Sequence, residues 1–512
     1  MYMQNHRKFG VGNALLALVC IAAIILCAYQ IQAAGKGIAR ENLTLGSTPV
    51  EIFRPSGGAS GPAVVVAHGF SGSRQIMYSI GYTLAQNGYL AALLDFPGHG
   101  RNLTPLRQSA GARDVTQLVD TLGQVVDYVR ARDDTIDNEV AVLGHSMGTA
   151  VVMTYGLHHA DVGATVALSA ILTDITPAMP RNLLLLTGAL EFGNLKQNAL
   201  AALRNGGGQE PDVLYGDFAA GTARQLVFVP NTEHVTILFS RETLKRITDW
   251  LDAAFGHVSR GWTDRRMAWV LVLHAAALGL YLPLSRWVWW KRAPIRGRRM
   301  RVQDLLLFKG GPALLTPIVL WALSPLTTLV PLAVANYLAV YFFLAGIGSL
   351  ALLRGRGLLE RRTWRGWLRP GCIGAGLVLF AYIVVAVFIP GDQTWTSLIP
   401  TGQRALWFAV LAVLCFPYFL ADTSLTYARG RGQTFWRFAL TKAIFLASMF
   451  LALQLNPGLF FILLLLPFLL VAWVMFGVYA TRATSRLASP IPGAMATTLA
   501  FAWFMASLFP MV

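Results

Sequence analysis

Ser146 sits in the pentapeptide Gly144-His145-Ser146-Met147-Gly148, directly after a strand-like run at 139–143 and at the head of a helix-compatible stretch. A serine so placed lies on a sharp strand-to-helix turn, with its hydroxyl pushed out of the sheet. The flanking glycines leave room for the strained backbone. The amide of Met147 can then face a developing oxyanion. A serine hydroxyl is a poor nucleophile until a base takes its proton. That base is usually a histidine held in place by a carboxylate. The pentapeptide alone occurs by chance in many proteins, so its weight depends on what else the chain supplies.

A base is expected at His234, in Pro230-Asn231-Thr232-Glu233-His234-Val235, just after a strand candidate at 225–229 and before a closing amphipathic helix at 241–255. His145 and His99 sit inside other motifs, and His158 and His159 fall late in a helix, so all four are weaker candidates. The acid is expected at Glu191, in Thr187-Gly188-Ala189-Leu190-Glu191 after the strand candidate 182–186, with Asp174, Asp212 and Asp217 as rivals. A glycine three residues before an acid lets the chain turn over the sheet edge and aim the carboxylate back. Two backbone amides are needed for an oxyanion hole. Met147 offers one, and Phe70, in His68-Gly69-Phe70-Ser71-Gly72-Ser73 after the strand candidate 63–67, offers the other.

These residues must be held by regular elements. Between about Leu45 and Gly256 short β-rich runs (63–67, 89–94, 139–143, 164–168, 182–186, 225–229) alternate with helical patterns (75–86, 114–132, 147–158, 195–203, 241–255). Near-continuous apolar strands alternating with helices indicate a parallel sheet covered on both faces.

From about Val50 to Phe255 the chain resembles an α/β-hydrolase of the serine aminopeptidase and lysophospholipase-like branch. The residues that carry the resemblance are His68-Gly69-Phe70, Gly144-His145-Ser146-Met147-Gly148, Gly188 with Glu191, and His234. Asp95-Phe96-Pro97-Gly98-His99-Gly100 is similar to the branch's D-x-x-G-H-G loop, which is structural there and makes His99 a packing or hydrogen-bonding residue. The order serine, acid, histidine is that of the family. The resemblance implies acyl transfer through a covalent acyl-enzyme, most simply ester hydrolysis, with neither metal nor organic cofactor; an acyltransferase or peptidase with the same triad, or a non-catalytic binding module, are the alternatives. It fits fold and reaction type, not substrate. Glutamate stands where aspartate is more usual. Only about a dozen residues join the strands at 164–168 and 182–186, where many relatives insert a helical cap, so a full cap is expected to be absent. The segment 192–223 is longer and could cover part of the site. An open site facing the membrane surface would suit a lipid or acylated substrate.

The whole chain is 512 residues, 55% hydrophobic and only 13% charged, whereas soluble domains are near one-quarter charged. Its net charge of +17 suggests nucleic acid at first sight. The basic residues, however, cluster in short loops between apolar runs, which membrane orientation explains. No nucleic-acid partner is expected. The four cysteines, Cys20, Cys27, Cys372 and Cys415, all lie in apolar runs and offer neither a disulfide framework nor metal-ligand spacing.

The expected layout is an N-terminus at 1–10 inside the cell, an anchor at 11–29 that no clear A-x-A site marks for cleavage, with a signal peptide as the alternative, an α/β-hydrolase domain at 45–257, and an all-α membrane domain at 267–510. About eight spans are expected in the last: 267–285, 304–323, 326–353, 371–390, 404–421, 438–455, 458–480 and 491–510. Loops 286–303, 354–370, 422–437 and 481–490 carry arginines or lysines, and the intervening loops carry none. By the positive-inside rule this alternation places the hydrolase domain outside, periplasmic or extracellular in a bacterium and luminal in a eukaryote; the compact build and arginine-rich loops favour a bacterial inner membrane. Arg260, Arg265 and Arg266 run against that bias. Within the spans, His274 is expected to face water or the hydrolase, and Lys442 to snorkel to the inner face; Asn336, Tyr337 and Asp422 are also polar. The expected partners are membrane lipids and an ester or acylated substrate, a lipid among the candidates.

Overall fold

The computed structural model describes residues 10–109, 112–113, 115–172, 174–288, 300–359, 368–427, 431–487 and 489–512. Much of the basic sequence of loops 286–303 and 354–370, with Arg429, lies outside the described residues. The chain divides into two compact units. One holds Leu26–Val272 with Gly391–Ser397 and Pro510–Val512; the other holds the N-terminal segment to Ile25, Leu273–Pro390 and Leu398–Phe509.

The first unit is built on eight strands: β1 (Ile38–Leu45), β2 (Thr48–Pro55), β3 (Gly61–Ala67), β4 (Leu90–Leu94), β5 (Thr135–His145), β6 (Ala164–Leu168), β7 (Leu183–Gly188) and β8 (Arg224–Val229). They pair in the order β1-β2-β4-β3-β5-β6-β7-β8. β2 runs antiparallel to both neighbours, and all later pairings are parallel. This is the α/β-hydrolase fold, with a mostly parallel sheet.

Both faces of the sheet are buried, which is why its central strands read as unbroken apolar runs. Along β3, Ala63, Val65 and Ala67 join the core under helices α3 (Val115–Arg130), α4 (Met147–His158) and α5 (Gly193–Asn205). Val64 and Val66 join the opposite core, under α2 (Tyr78–Gln86) and α6 (Arg241–Phe255). The sheet starts earlier than the expected Leu45 boundary. β1 is an edge strand whose residues are at most half-buried, so its polar alternation, Arg40-Glu41-Asn42, looks like a linker in the sequence. Its register on β2 pairs Leu45 with Thr48 and Ile38 with Pro55. Glu51 on β2 is buried and bonded by Arg40, Arg74 and Tyr78, so the charge is matched where it is hidden.

The second unit is helical. Among the described residues, eight helices of the chain are long and apolar enough to cross a bilayer: α1 (Val11–Ala33), α7 (Arg266–Val288), α8 (Val302–Ala322), α9 (Ala335–Gly355), α10 (Pro370–Thr394), α11 (Gln403–Thr426), α12 (Arg431–Leu455) and α14 (Ile491–Leu508). A further helix, α13 (Phe460–Leu487), has an apolar stretch at Leu469–Thr484. The chain is therefore a multi-pass membrane protein.

Three expectations change. The first helix extends past residue 29 to Ala33. The span expected at 326–353 is helical only over Ala335–Gly355. Ser324–Thr328 forms a 3₁₀ turn instead, and Pro331, which lacks an N–H, together with Val334 at φ 67°, interrupts the helix. Lys442 does not snorkel: it is buried, with Nζ 2.6 Å from Asp422 Oδ2 on the neighbouring α11. His274 is half-buried, with Nε2 3.4 Å from the Val387 carbonyl oxygen within the helical unit.

Candidate active site

Ser146 directly follows β5 and caps α4, with φ 52° and ψ −116°. Such a backbone is disfavoured for any residue with a Cβ. It persists because the turn around it is crowded. A Cβ on Gly144 would overlap the Gly148 carbonyl oxygen, and one on Gly148 would lie 2.6 Å from the Ala67 oxygen. The flanking glycines are thus required by close approach of β3, β5 and α4. Met147 is the first residue of α4, so helix geometry leaves its N–H without an intrahelical acceptor.

The structure brings Ser146, His234 and Glu191 together from the ends of three different strands. The Ser146 hydroxyl lies 3.0 Å from His234 Nε2. His234 Nδ1 lies 3.1 Å from Glu191 Oε2. All three are buried. His234 sits five residues past β8 in a loop that folds into a 3₁₀ turn, Thr236–Phe239. Glu191 follows β7 through a tight turn in which its own N–H donates to the Gly188 carbonyl at 3.1 Å.

The second carboxylate oxygen of Glu191 is also held. The Ser169 hydroxyl donates to Oε1 at 2.5 Å and the Gly188 N–H at 2.9 Å. Burial pushes the Glu191 carboxyl pKa up, but the bonds and charge of His234, with those of Ser169 and Gly188, outweigh it and leave it below the usual value. Glu191 is therefore an anion that accepts from three donors. Two of the rival acids are engaged elsewhere. Asp217 Oδ1 accepts from the Ala220 N–H in its own loop, and the Asp212 N–H donates to the Leu226 carbonyl beside β8.

Two further histidines shape the site. The ring of His145 points its Nε2 at the His234 carbonyl oxygen, 2.8 Å away. Burial, with the neighbouring His234, pushes the His145 pKa down to about 3. The ring is thus neutral, and Nε2–H donates to the His234 backbone. His68 does the same for the preceding loop: Nδ1–H donates to the Gly69 carbonyl at 2.7 Å, and Nε2 accepts from the Phe96 N–H at 3.1 Å. A Cβ on Gly69 would lie 3.1 Å from Ser146 Cβ, so the backbone that leads into Phe70 passes directly against Ser146. His99 donates from Nδ1 to the Pro97 carbonyl at 2.8 Å, with its ring 5.9 Å from that of Phe70.

Sequence reasoning does not find Ser169 or the role of His145. Ser169 follows β6 with φ 61°, a backbone feature with no sequence signature. His145 lies inside the pentapeptide, where its position in the motif hides what its ring touches. The connection from β6 to β7 has no inserted helical cap among its described residues. The loops after β6 and β7 instead expose Ile171, Leu190 and Phe192, at 40%, 68% and 43%.

The sequence model of a family described as "Serine aminopeptidase, S33" matches residues 59–215. No curated protein matches the chain. Among solved structures, a predicted CIB-like hydrolase from Thermoplasma acidophilum is 15% identical over 42% of this chain and 97% of its own, with a TM-score of 0.32. A dienelactone hydrolase from Anabaena variabilis is 19% identical over 44% of this chain and 100% of its own, with a TM-score of 0.32. A membrane phospholipase A described as a bacterial virulence factor is 13% identical over 48% of this chain and 95% of its own, also with a TM-score of 0.32. At these values the likenesses say nothing of what this chain acts on.

Proposed function

We propose that the α/β-hydrolase domain of this membrane protein is a serine hydrolase that cleaves an ester, with a lipid or acylated molecule as substrate. The observation that carries the proposal is the continuous hydrogen-bonded line Ser146–His234–Glu191. Ser146 is the nucleophile. His234 takes its proton as Oγ attacks the carbonyl carbon, then returns that proton to the leaving alcohol. Glu191 holds the ring tautomer with Nδ1–H and stabilises the imidazolium. The amides of Phe70 and Met147 receive the oxyanion. Water, deprotonated by His234, then releases the acyl group from Ser146.

An apolar substrate is supported by the uncapped β6–β7 connection and by Ile171, Leu190 and Phe192 exposed around the acid. Attachment to membrane helices keeps the domain where lipids are. The expected side is the periplasmic or extracellular one. A fluorophosphonate probe that cannot cross membranes tests both points. Labelling of intact spheroplasts at Ser146 supports the reading, whereas labelling only in inverted vesicles places the domain inside. The substrate is tested by comparing kcat/KM for a short soluble ester with that for an acyl ester in bilayers. The bilayer substrate should be favoured, and equal efficiency would remove the lipid reading. The matched family's description favours a second reading, cleavage of an amino-terminal peptide bond. Aminoacyl anilides turned over faster than any ester would establish it.

Ser169 is a positioning residue in this scheme. Glutamate is a methylene longer than aspartate, and the Ser169 hydroxyl with the Gly188 N–H fixes the extra freedom. Ser169→Gly removes the hydroxyl and suits φ 61°. A lost hydrogen bond to a charged group is worth about 1.5–3 kcal/mol, so turnover should fall about 10- to 100-fold. The Glu191 carboxyl should also rise toward its usual value, moving the acidic limb of the pH profile up. Unchanged turnover and pH profile would show that Ser169 only packs.

A further inference from the structure

Among the described residues, the helical unit buries five charged side chains that the hydrolase scheme does not use: Arg404 and Arg437, which reach backbone carbonyls, and Lys309, Asp422 and Lys442, which meet one another. Asp422 on α11 stands between two lysines. Its Oδ1 is 3.0 Å from Nζ of Lys309 on α8, and its Oδ2 is 2.6 Å from Nζ of Lys442 on α12. The Lys309 and Lys442 side chains are 1% and 8% exposed, and Asp422 is 9% exposed. Lys309 Nζ lies 3.4 Å over the Tyr418 ring, and Lys442 Nζ 4.0 Å over that of Trp473. Here a second ammonium leaves one excess positive charge among hydrocarbon, where charge is costly and usually functional.

Lys309 faces inward because α8 opens into a π-helical turn at Leu306–Gly310. Such turns insert a residue, rotate the rest of the helix and recur at functional sites. Among the described residues, the phenols of Tyr341 on α9 and Tyr418 on α11 face Asp422, and Tyr427 lines the adjoining cavity with it. Arg437, one turn before Lys442, reaches toward the Tyr427 carbonyl instead.

A cavity of about 30 Å³ adjoins the trio at Asp422, the only charged side chain on its wall among the described residues. Thr426 and Thr484 also line it, and each has a buried hydroxyl with no hydrogen-bond partner among the described residues. A water needs ~10–15 Å³ by this measure and two or more polar partners, so the cavity has room for two or three waters. It is too small for a lipid headgroup. A metal cation would meet the excess positive charge of the trio, and an anion would meet the Asp422 carboxylate on the wall. A proton handed from the trio to water needs no more room than the water itself, and its departure removes the excess charge.

We propose that Lys309, Asp422 and Lys442 form a proton-exchange site in the helical unit, served by water in the threonine-lined cavity. A lysine N–H bond breaks, the proton passes through the Asp422 carboxylate to a cavity water, and the lysine is left as a neutral amine. The trio then carries one positive and one negative charge. Reprotonation runs the same path backwards.

The chain has only seven lysines, so their side-chain nitrogens can be followed by NMR in full-length protein labelled with ¹⁵N-lysine in lipid nanodiscs. As pH is varied from about 5 to 9, a range well below the titration of solvated lysine, one signal should switch reversibly between ammonium and amine. Lys309→Met and Lys442→Met assign the two signals. Each should abolish the switch, because each leaves a neutral pair. The wild-type titration needs no variant. No switch in it, or one that persists in either variant, would overturn the proposal.

Discussion

Replacing Ser146 or His234 with alanine is expected to lower turnover roughly 10⁶-fold, the scale seen when either member of such a hydrogen-bonded unit is removed. The loss should fall on kcat, because neither side chain is placed to hold the substrate before reaction. Glu191→Gln should cost less, about 10⁴-fold, since the imidazole remains but loses its oriented tautomer and its counter-charge. Combining Ser146→Ala with His234→Ala should cost no more than either alone. The geometry explains this non-additivity: His234 Nε2 at 3.0 Å from the hydroxyl has no other proton to take at that position. Fluorophosphonate labelling should vanish in Ser146→Ala and be severely slowed in His234→Ala. Activity within about tenfold of wild type in either variant would move the chemistry to another group.

The second large effect is on acid stability. His145 is 5% exposed and is held neutral down to about pH 3, against an ordinary value of 6.5. The unfolded chain takes up a proton on this ring as pH falls through 6.5, and the folded chain does not until about 3. Stability from the neutral ring is therefore complete above pH 6.5 and drains away as pH falls to 3. Each pKa unit corresponds to ~1.4 kcal/mol, so the loss across the window is on the order of 5 kcal/mol. His68, kept neutral mainly by burial, acts in the same direction. His145→Gln retains an N–H donor for the His234 carbonyl but cannot titrate. The temperature at which probe reactivity is lost should fall steeply between pH 6.5 and 4 in wild type and less in this variant. Parallel curves would assign the acid sensitivity elsewhere.

Legibility in the sequence depends on where each residue stands on the sheet. Ser146, Glu191 and His234 each come just after a parallel strand. The ends of such strands share one edge, so order along the chain and distance past a strand suffice to nominate them. β4, β6 and β8 are legible for the same reason, because burial on both faces leaves an apolar run. β1 is not, since an edge strand with Arg40, Glu41 and Asn42 on it lacks that run. Ser169 is hidden because its role depends on a positive φ and on a turn that returns Glu191 to it. The pairing of Lys442 with Asp422 depends on which faces α11 and α12 turn to each other, and hydropathy carries no such information.

The backbone of Ser146, at φ 52° and ψ −116°, is a conformation glycine takes without difficulty and serine takes at a cost of ~1–3 kcal/mol. Nothing in the packing of the sheet asks for a side chain there; only the reaction does. Ser146→Gly should therefore yield an inert protein that survives heat better than the working one. In a lineage that no longer needed the reaction, selection for folding alone would draw this position toward glycine. Heat tolerance and reactivity would then be inherited as alternatives at a single codon.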